Sequence, residues 1–196
     1  MEKDIIDFID KDHEVMDSYY ELTKRAGSLS DKSLIKELKS LIKKDPEFFD
    51  TYTWLIQILE EQGKFKEALI LLNEAYEKCL DVLLDKNKNW PDRLEWGWLE
   101  NRHILRLLLN KGIYEWKVGN KELAIEIFRR QLKLNPNDNA GVRQFILAIR
   151  MNLTFDQFEK KFNKNGYYDQ DLMTWFDKNF KKFSEEFDSW LKEIEQ

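Results

Sequence analysis

Few side chains in this sequence are suited to bond making: two histidines, His13 and His103, and a single cysteine, Cys79. Zinc chemistry on a helix needs two imidazoles one turn apart, so that both reach one ion. His13-Glu14-Val15-Met16-Asp17 supplies one imidazole and lacks the second, and His103 has no metal-ligating spacing with its neighbours. Cys79 lies in an aliphatic helical stretch, which suits a small core residue better than a nucleophile. There is no glycine-rich phosphate loop, and carboxylate pairs are too common in a chain that is 35% charged to mark an acid–base pair. The expectation is no catalytic residue, no metal and no cofactor: a binding protein, not an enzyme.

A polar constellation suits recognition better. Asn101 falls on the apolar line of a long helix, where its amide must find partners or destabilise the fold by about 1–3 kcal/mol. Asp138, Asn139 and Arg143 open a helix one pair later and could supply them. The expectation is a cluster of Glu100, Asn101, Arg102, Asp138, Asn139 and Arg143. It reads either as a helix cap tied to its neighbour or as a patch that recognises a ligand. A small-ligand or catalytic pocket at Asn101, Asn139 and Arg143 is the alternative to a protein-binding role.

The elements that must position these residues are helical. No run of alternating β-branched residues is long enough for a strand, so the class is all-α. Gly27, Gly63, Gly119 and Gly166 sit between helical patterns, where a left-handed C-cap is wanted. The spacing predicts helices over 4–25, 30–44, 47–61, from 64 past 80, 91–117, 121–134, from 138 or 139 through 149, and a short one opened by Asn152 or Thr154. The fifth carries the line Leu94, Trp98, Leu105, Leu108, Gly112, Trp116, with Asn101 at its missing step. Last comes a seam of Met173, Phe176, Phe180, Phe183, Phe187, Trp190 and Ile194, in unbroken steps of three and four. It reads as a cap on the end of the fold, as a helix lying in the protein's own groove, or as a surface for homodimerisation.

Composition bounds the setting. The chain has 196 residues, is 42% hydrophobic and carries a formal charge of −5. That charge argues against a general nucleic-acid binder, which needs a clustered basic surface. Cys79 alone cannot form an intrachain disulfide, which suits a reducing compartment. Met1-Glu2-Lys3-Asp4-Ile5-Ile6-Asp7 is too acidic for a secretion signal, and no apolar run nears the roughly 20 residues needed to cross a bilayer. The expectation is a cytoplasmic protein without membrane contact.

The turn Gln62-Gly63-Lys64-Phe65-Lys66-Glu67-Ala68 is echoed by Val118-Gly119-Asn120-Lys121-Glu122-Leu123-Ala124. Counting back from Pro136 gives Phe128, Ala124, Gly119 and Gly112; counting forward from Pro46 gives Tyr52, Leu55, Gly63, Phe65, Ala68, Leu72 and Ala75. On these residues the chain resembles tetratricopeptide-repeat proteins, whose helix pairs recur at about 34 residues. Lys111, Glu115 and Gln131 depart from it, standing where that family has leucine, tyrosine and alanine. Pro46 and Pro136 are 90 residues apart, more than two repeats, and the excess is assigned to a longer fourth helix, the 85–89 loop and a longer fifth helix. Glu95-Trp96-Gly97-Trp98-Leu99-Glu100-Asn101-Arg102, followed by Leu134-Asn135-Pro136-Asn137-Asp138-Asn139-Ala140-Gly141-Val142-Arg143, is similar to paired signatures in bacterial repeat proteins and in the suppressor-of-tumorigenicity group.

The resemblance implies a short superhelix of hairpins whose concave side is lined by the first helix of each pair, without established enzymatic activity. That side would present Asp50, Thr53, Gln57 and Glu60, then Arg106, Leu109, Ile113 and Trp116. The expected function is an adaptor with Leu109, Ile113 and Trp116 as apolar anchors. Arg102, Arg106 and Arg143, with Trp96 beside them, would orient an acidic or carboxylate-bearing protein segment. Alternatively, Ile113 and Trp116 pack beneath the C-terminal helices. The positions at which some relatives clamp a chaperone carboxylate are Thr53, Trp54, Gln57, Arg106 and Asn110; only Arg106 is basic, so the clamp is absent. The expected organisation is one structural domain, with N-terminal helices over 1–46, a repeat core over 47–152 and aromatic capping helices over 153–196.

Overall fold

The computed structural model describes residues 5–194. Among them the chain is all-α, and pairing of extended backbone is limited to two isolated bridges, Asp7 with Arg93 and Asn163 with Tyr168. No helix among these residues is long and apolar enough to cross a membrane. The chain divides into two compact units, Met1–Leu107 and Leu108–Gln196. The division falls inside a helix, and within the first unit residues 6–10 bond to residues 92–93 and 101–103.

The first unit holds α1 (Met16–Arg25), α2 (Asp31–Lys44), α3 (Phe49–Glu61), α4 (Phe65–Leu83) and the start of α5 (Arg102–Lys117). Ser30 opens α2 by accepting from the Ser33 amide at 3.3 Å, and Leu34, Leu38 and Leu41 form its buried face. α3 buries Phe49, Tyr52, Leu55, Ile56 and Leu59. It ends at Gly63, whose φ of +72° lets the Lys64 amide return to the Leu59 carbonyl. The chain then reverses into α4, which lays Ala68, Leu72, Ala75 and Cys79 against the unit's core. Asp85 folds the chain back beyond α4 by accepting from the amides of Asn87 and Asn89, both at 2.8 Å.

Two helices are shorter than the periodicity predicts. The first was expected from Asp4, which lies outside the described residues, yet α1 begins only at Met16. Residues 5–12 run without helix, because their backbone is committed elsewhere: the Ile6 carbonyl accepts from Asp92 and Arg93, and the Phe8 amide donates to the Arg93 carbonyl. The fifth was expected from Pro91 but begins at Arg102, after one 3-10 turn, Leu99–Asn101. The Asn101 side chain takes the Glu95 carbonyl, which a continuous helix would have spent internally. Gly27 also differs from expectation, sitting in the 3-10 turn Ala26–Ser28 and not in a left-handed cap.

The second unit holds the remainder of α5, then α6 (Lys121–Leu134), α7 (Val142–Arg150), α8 (Phe155–Phe162), α9 (Gln170–Asn179) and α10 (Ser184–Ile194). Gly119, at φ +89°, turns α5 into α6 as Gly63 turns α3 into α4. Gly112 lies so near Phe128 that a Cβ there would sit 2.3 Å from the ring. Lys111 and Glu115, the departures from the family pattern, form a buried ion pair of 2.5 Å that Asn120 completes at 2.7 Å.

The aromatic seam is not one straight helix. A 3-10 turn, Phe180–Phe183, separates α9 from α10. Eleven residues of straight helix would place Phe176 and Phe187 about 16 Å apart, yet their rings lie 5.3 Å apart, so the seam folds onto itself. Phe187 is fully buried, and the Trp190 indole donates to the Pro136 carbonyl at 2.7 Å. The seam therefore packs into the core of its own unit, and of its seven side chains only Ile194 stays well exposed.

Candidate functional site

In the first unit, Asp10, His13 and His103 converge, although 90 residues separate the two histidines in sequence. Asp10 Oδ2 accepts from His103 Nε2 at 2.9 Å and from His13 Nε2 at 3.1 Å. The other nitrogen of His13, Nδ1, reaches Asp45 Oδ2 at 2.7 Å at the end of α2. His103 Nδ1 accepts the Phe49 amide at 3.0 Å, serving one of the unpaired N–H groups at the start of α3. Both rings are almost fully enclosed and pack against Phe48.

This pattern assigns the protons. A ring nitrogen that accepts from a backbone amide carries no hydrogen, so His103 is neutral with its proton on Nε2, facing Asp10. His13 stands between two carboxylate oxygens, which can only accept, so both its nitrogens donate and the ring is an imidazolium. Burial disfavours the charged ring, but hydrogen bonds to Asp10 and Asp45 outweigh it and hold the His13 pKa above its ordinary value. For His103 burial wins and the pKa is lowered. Burial would raise the Asp10 carboxyl; the two histidines outweigh it and hold the acid ionised well below its usual range.

Asp10, His13 and His103 place one ligand atom each within 4.8 Å, close enough for a shared cation. The donor chemistry does not fit one. A metal-bound imidazole donates its outer nitrogen's proton and offers the inner lone pair; His103 does the reverse, accepting outside and donating inside.

Asn101 anchors the same region. Its Oδ1 accepts the Asp10 amide at 3.0 Å, and its Nδ2 donates to the carbonyls of Phe8 at 2.9 Å and Glu95 at 3.2 Å. The amide thus spends its donors and acceptor within the first unit, on the N-terminal segment and Glu95; Asp138, Asn139 and Arg143 belong to the second unit. Asp138 instead serves α7 from outside the helix, accepting from the amides of Val142 at 2.7 Å and Arg143 at 3.2 Å and from Arg143 Nη1 at 2.9 Å. Burial pushes the Asp138 carboxyl up to about 6 against the pull of Arg143. The Arg143 guanidinium also lies over Phe176 and Trp190, 5.4 Å from each ring. Asn139 is exposed.

The other expected site residues divide in the same way. Trp116 is not a free anchor: it is buried among Phe145, Phe155 and Phe158, and its indole donates to the Leu153 carbonyl at 3.1 Å. Leu109 and Ile113 pack against the same cluster. Arg102 and Arg106 both lie over the Trp96 ring, at 5.5 and 5.8 Å, and Arg106 is paired through two nitrogens with Asp50. The arginines expected to orient an acidic partner are thus bound internally.

A groove remains in the first unit, of about 410 Å³. Asp50, Thr53, Gln57 and Arg106 line it, and Tyr19, Tyr20, Thr23 and Trp54 join them. The Tyr19 ring meets Tyr20 and Trp54 edge-on at 5.5 and 5.7 Å, giving the groove an aromatic wall. Sequence reasoning missed Asp10, Asp45, Tyr19 and Tyr20. The available signal was an aspartate and a histidine three residues apart, Asp10 and His13, in a chain with only two histidines.

Compared with family models, curated proteins and solved structures, the chain matches none.

Proposed function

We propose that the protein is a non-enzymatic, tetratricopeptide-like adaptor that holds a peptide segment of another protein in the groove of its first unit. The observation that carries this reading is the groove itself: three aromatic rings, Tyr19 and Tyr20 from α1 and Trp54 from α3, beside Thr53 and Gln57 of the α3 face that the repeat pattern assigns to ligands. Aromatic walls take apolar side chains while flanking polar groups take peptide backbone, the division of labour of peptide grooves. The occupant is an extended segment with apolar side chains, not the acidic segment expected earlier, because Asp50 already neutralises Arg106. The glycine-turned pairs α3–α4 and α5–α6, and the close approach of Gly112 to Phe128, support the repeat architecture.

A displayed random peptide library, panned against the protein, tests this. The expected outcome is a family of related peptides with Kd on the order of micromolar, typical of modest grooves. They should bind the Tyr20→Ala, Gln57→Arg double variant at least tenfold more weakly, with its thermal melt unchanged. Peptides that bind parent and variant alike, or no enrichment, would refute the reading.

A further inference from the structure

We propose that His13 is a proton-operated clasp, fastening the N-terminal segment to the end of α2 as an imidazolium and loosening it when the proton is lost.

The clasp closes because one cation satisfies two carboxylates from different elements. Asp10 belongs to the N-terminal segment and Asp45 to the end of α2. Asp45 is itself fixed, accepting the Glu47 amide at 3.1 Å with its other oxygen. Asp10 is held to α5 by His103 and to the preceding turn by Asn101. When His13 loses a proton, one ring nitrogen presents a lone pair to a carboxylate oxygen about 3 Å away, where a hydrogen bond becomes a repulsion. Neither carboxylate can supply the missing hydrogen, and His103 has its only proton on Asp10.

Other charges do not rescue the contact. From its own segment His13 faces Asp10, with Asp12 and Glu14 exposed beside it. From α2 it faces Asp45, and from α5 His103, whose ring centroid is 4.8 Å away. Lys11 is paired with Glu47, and Asp50 with Arg106. The Cys79 thiol of α4, buried and influenced by Asp10, is pushed far up and stays neutral.

Apolar burial cannot hold the segment once the clasp opens. Ile5, Ile6 and Ile9 are all exposed, and what remains is polar: the backbone and side-chain bonds of residues 6–8 with Asp92 and Arg93, the bonds of Asn101, the Asp10–His103 contact and the Lys11–Glu47 pair. The pH sense follows from the raised His13 pKa. Attachment is complete below the free value of about 6.5 and weakens about tenfold per pH unit above it, levelling off beyond the folded pKa.

Amide hydrogen exchange on the intact wild-type protein between pH 5.5 and 9, corrected for intrinsic rates, reads this directly. Protection of the Phe8 and Asp10 amides should fall by at least tenfold over that range, while that of Leu55 in α3 stays flat. Imidazole nitrogen NMR should show His13 doubly protonated at pH 6.5. His13→Gln should give low, pH-independent protection at Phe8 and Asp10. Flat protection in the wild type, or a His13 titration at or below 6.5, would overturn the clasp. So would recovery of protection at pH 9 on adding Zn²⁺, which would make the cluster a metal site.

Discussion

Replacing Asn101 with alanine tests the first unit where its packing is most polar. The substitution removes an acceptor from the buried Asp10 amide and two donors from the carbonyls of Phe8 and Glu95. A buried group left without a partner costs about 1–3 kcal/mol. The Asp10 amide lies in the interior and meets that full cost, whereas the two carbonyls are part-buried and regain water. The sum is about 3 kcal/mol, or roughly 6–12 °C in Tm for a chain of this length. Asn101→Asp sharpens the test. It keeps the acceptor for Asp10 but turns a carboxylate oxygen toward two carbonyl oxygens, so at pH 7 it should destabilise more than alanine does.

The pH dependence of that second variant has a definite sign. Facing two carbonyls raises the new carboxyl's folded pKa, so its contribution is most favourable below the unfolded value of about 3.9 and is lost as pH rises through the folded one. Thermal melts followed by circular dichroism at pH 4 and 7, each variant compared with the parent, read both effects. An alanine variant within about 0.5 kcal/mol of the parent (about half the smallest cost expected), or an aspartate variant milder than alanine at pH 7, would show that Asn101 does not hold the N-terminal segment.

Two further predictions concern the second unit. Gly112→Ala sets a methyl group 2.3 Å from the Phe128 ring; overpacking of this kind costs about 1–3 kcal/mol, and urea melts should show the loss reduced when Phe128→Leu is added. The Asp138 carboxyl should titrate near 6 by carbon NMR, and Arg143→Ala should move that midpoint upward, because the cation paired with it is removed; an unchanged midpoint would show that Arg143 does not stabilise the charge.

The helices were legible wherever one periodic face meets one core. α6 spans 121–134 as its pattern predicts, and α2, α3 and α4 fall within a few residues of theirs. The glycines at 63 and 119 were legible because a left-handed residue leaves a distinctive mark. What misled was apolar periodicity in segments whose backbone is bonded to something distant. Leu94 sits in register with Leu105 and is buried, but it belongs to irregular chain that Asn101 and the N-terminal segment hold in place. The stripe alone leaves Trp116 open between groove anchor and core residue, because its partners, Phe145, Phe155 and Phe158, come from two later helices that a single stripe cannot reveal. The histidine cluster was hidden for the same reason: its members lie 90 residues apart, and spacing rules for ligands or dyads examine neighbours only.

The two ends of the chain are secured by opposite physics. The C-terminal helices are secured mainly by area: Phe176 and Phe187 are buried and Trp190 packs against them, with an exposed Glu185–Arg150 pair and a more enclosed Glu186 paired with Arg129 and Arg150 added to it. Burial of this kind is indifferent to pH. The segment before α1 points its isoleucines outward and turns Asp10 and His13 inward, so directional bonds must hold it. A buried charge needs its partners in the correct protonation state, and removing one is strongly destabilising. An attachment built this way is conditional on a proton in a manner that the aromatic seam is not. The condition sits immediately before α1, the helix that supplies Tyr19 and Tyr20 to the groove wall. If the groove binds a peptide, its affinity should therefore fall above pH 6.5 in the wild type but not in His13→Gln, whose clasp is already open; equal pH dependence in both would separate the groove from the clasp.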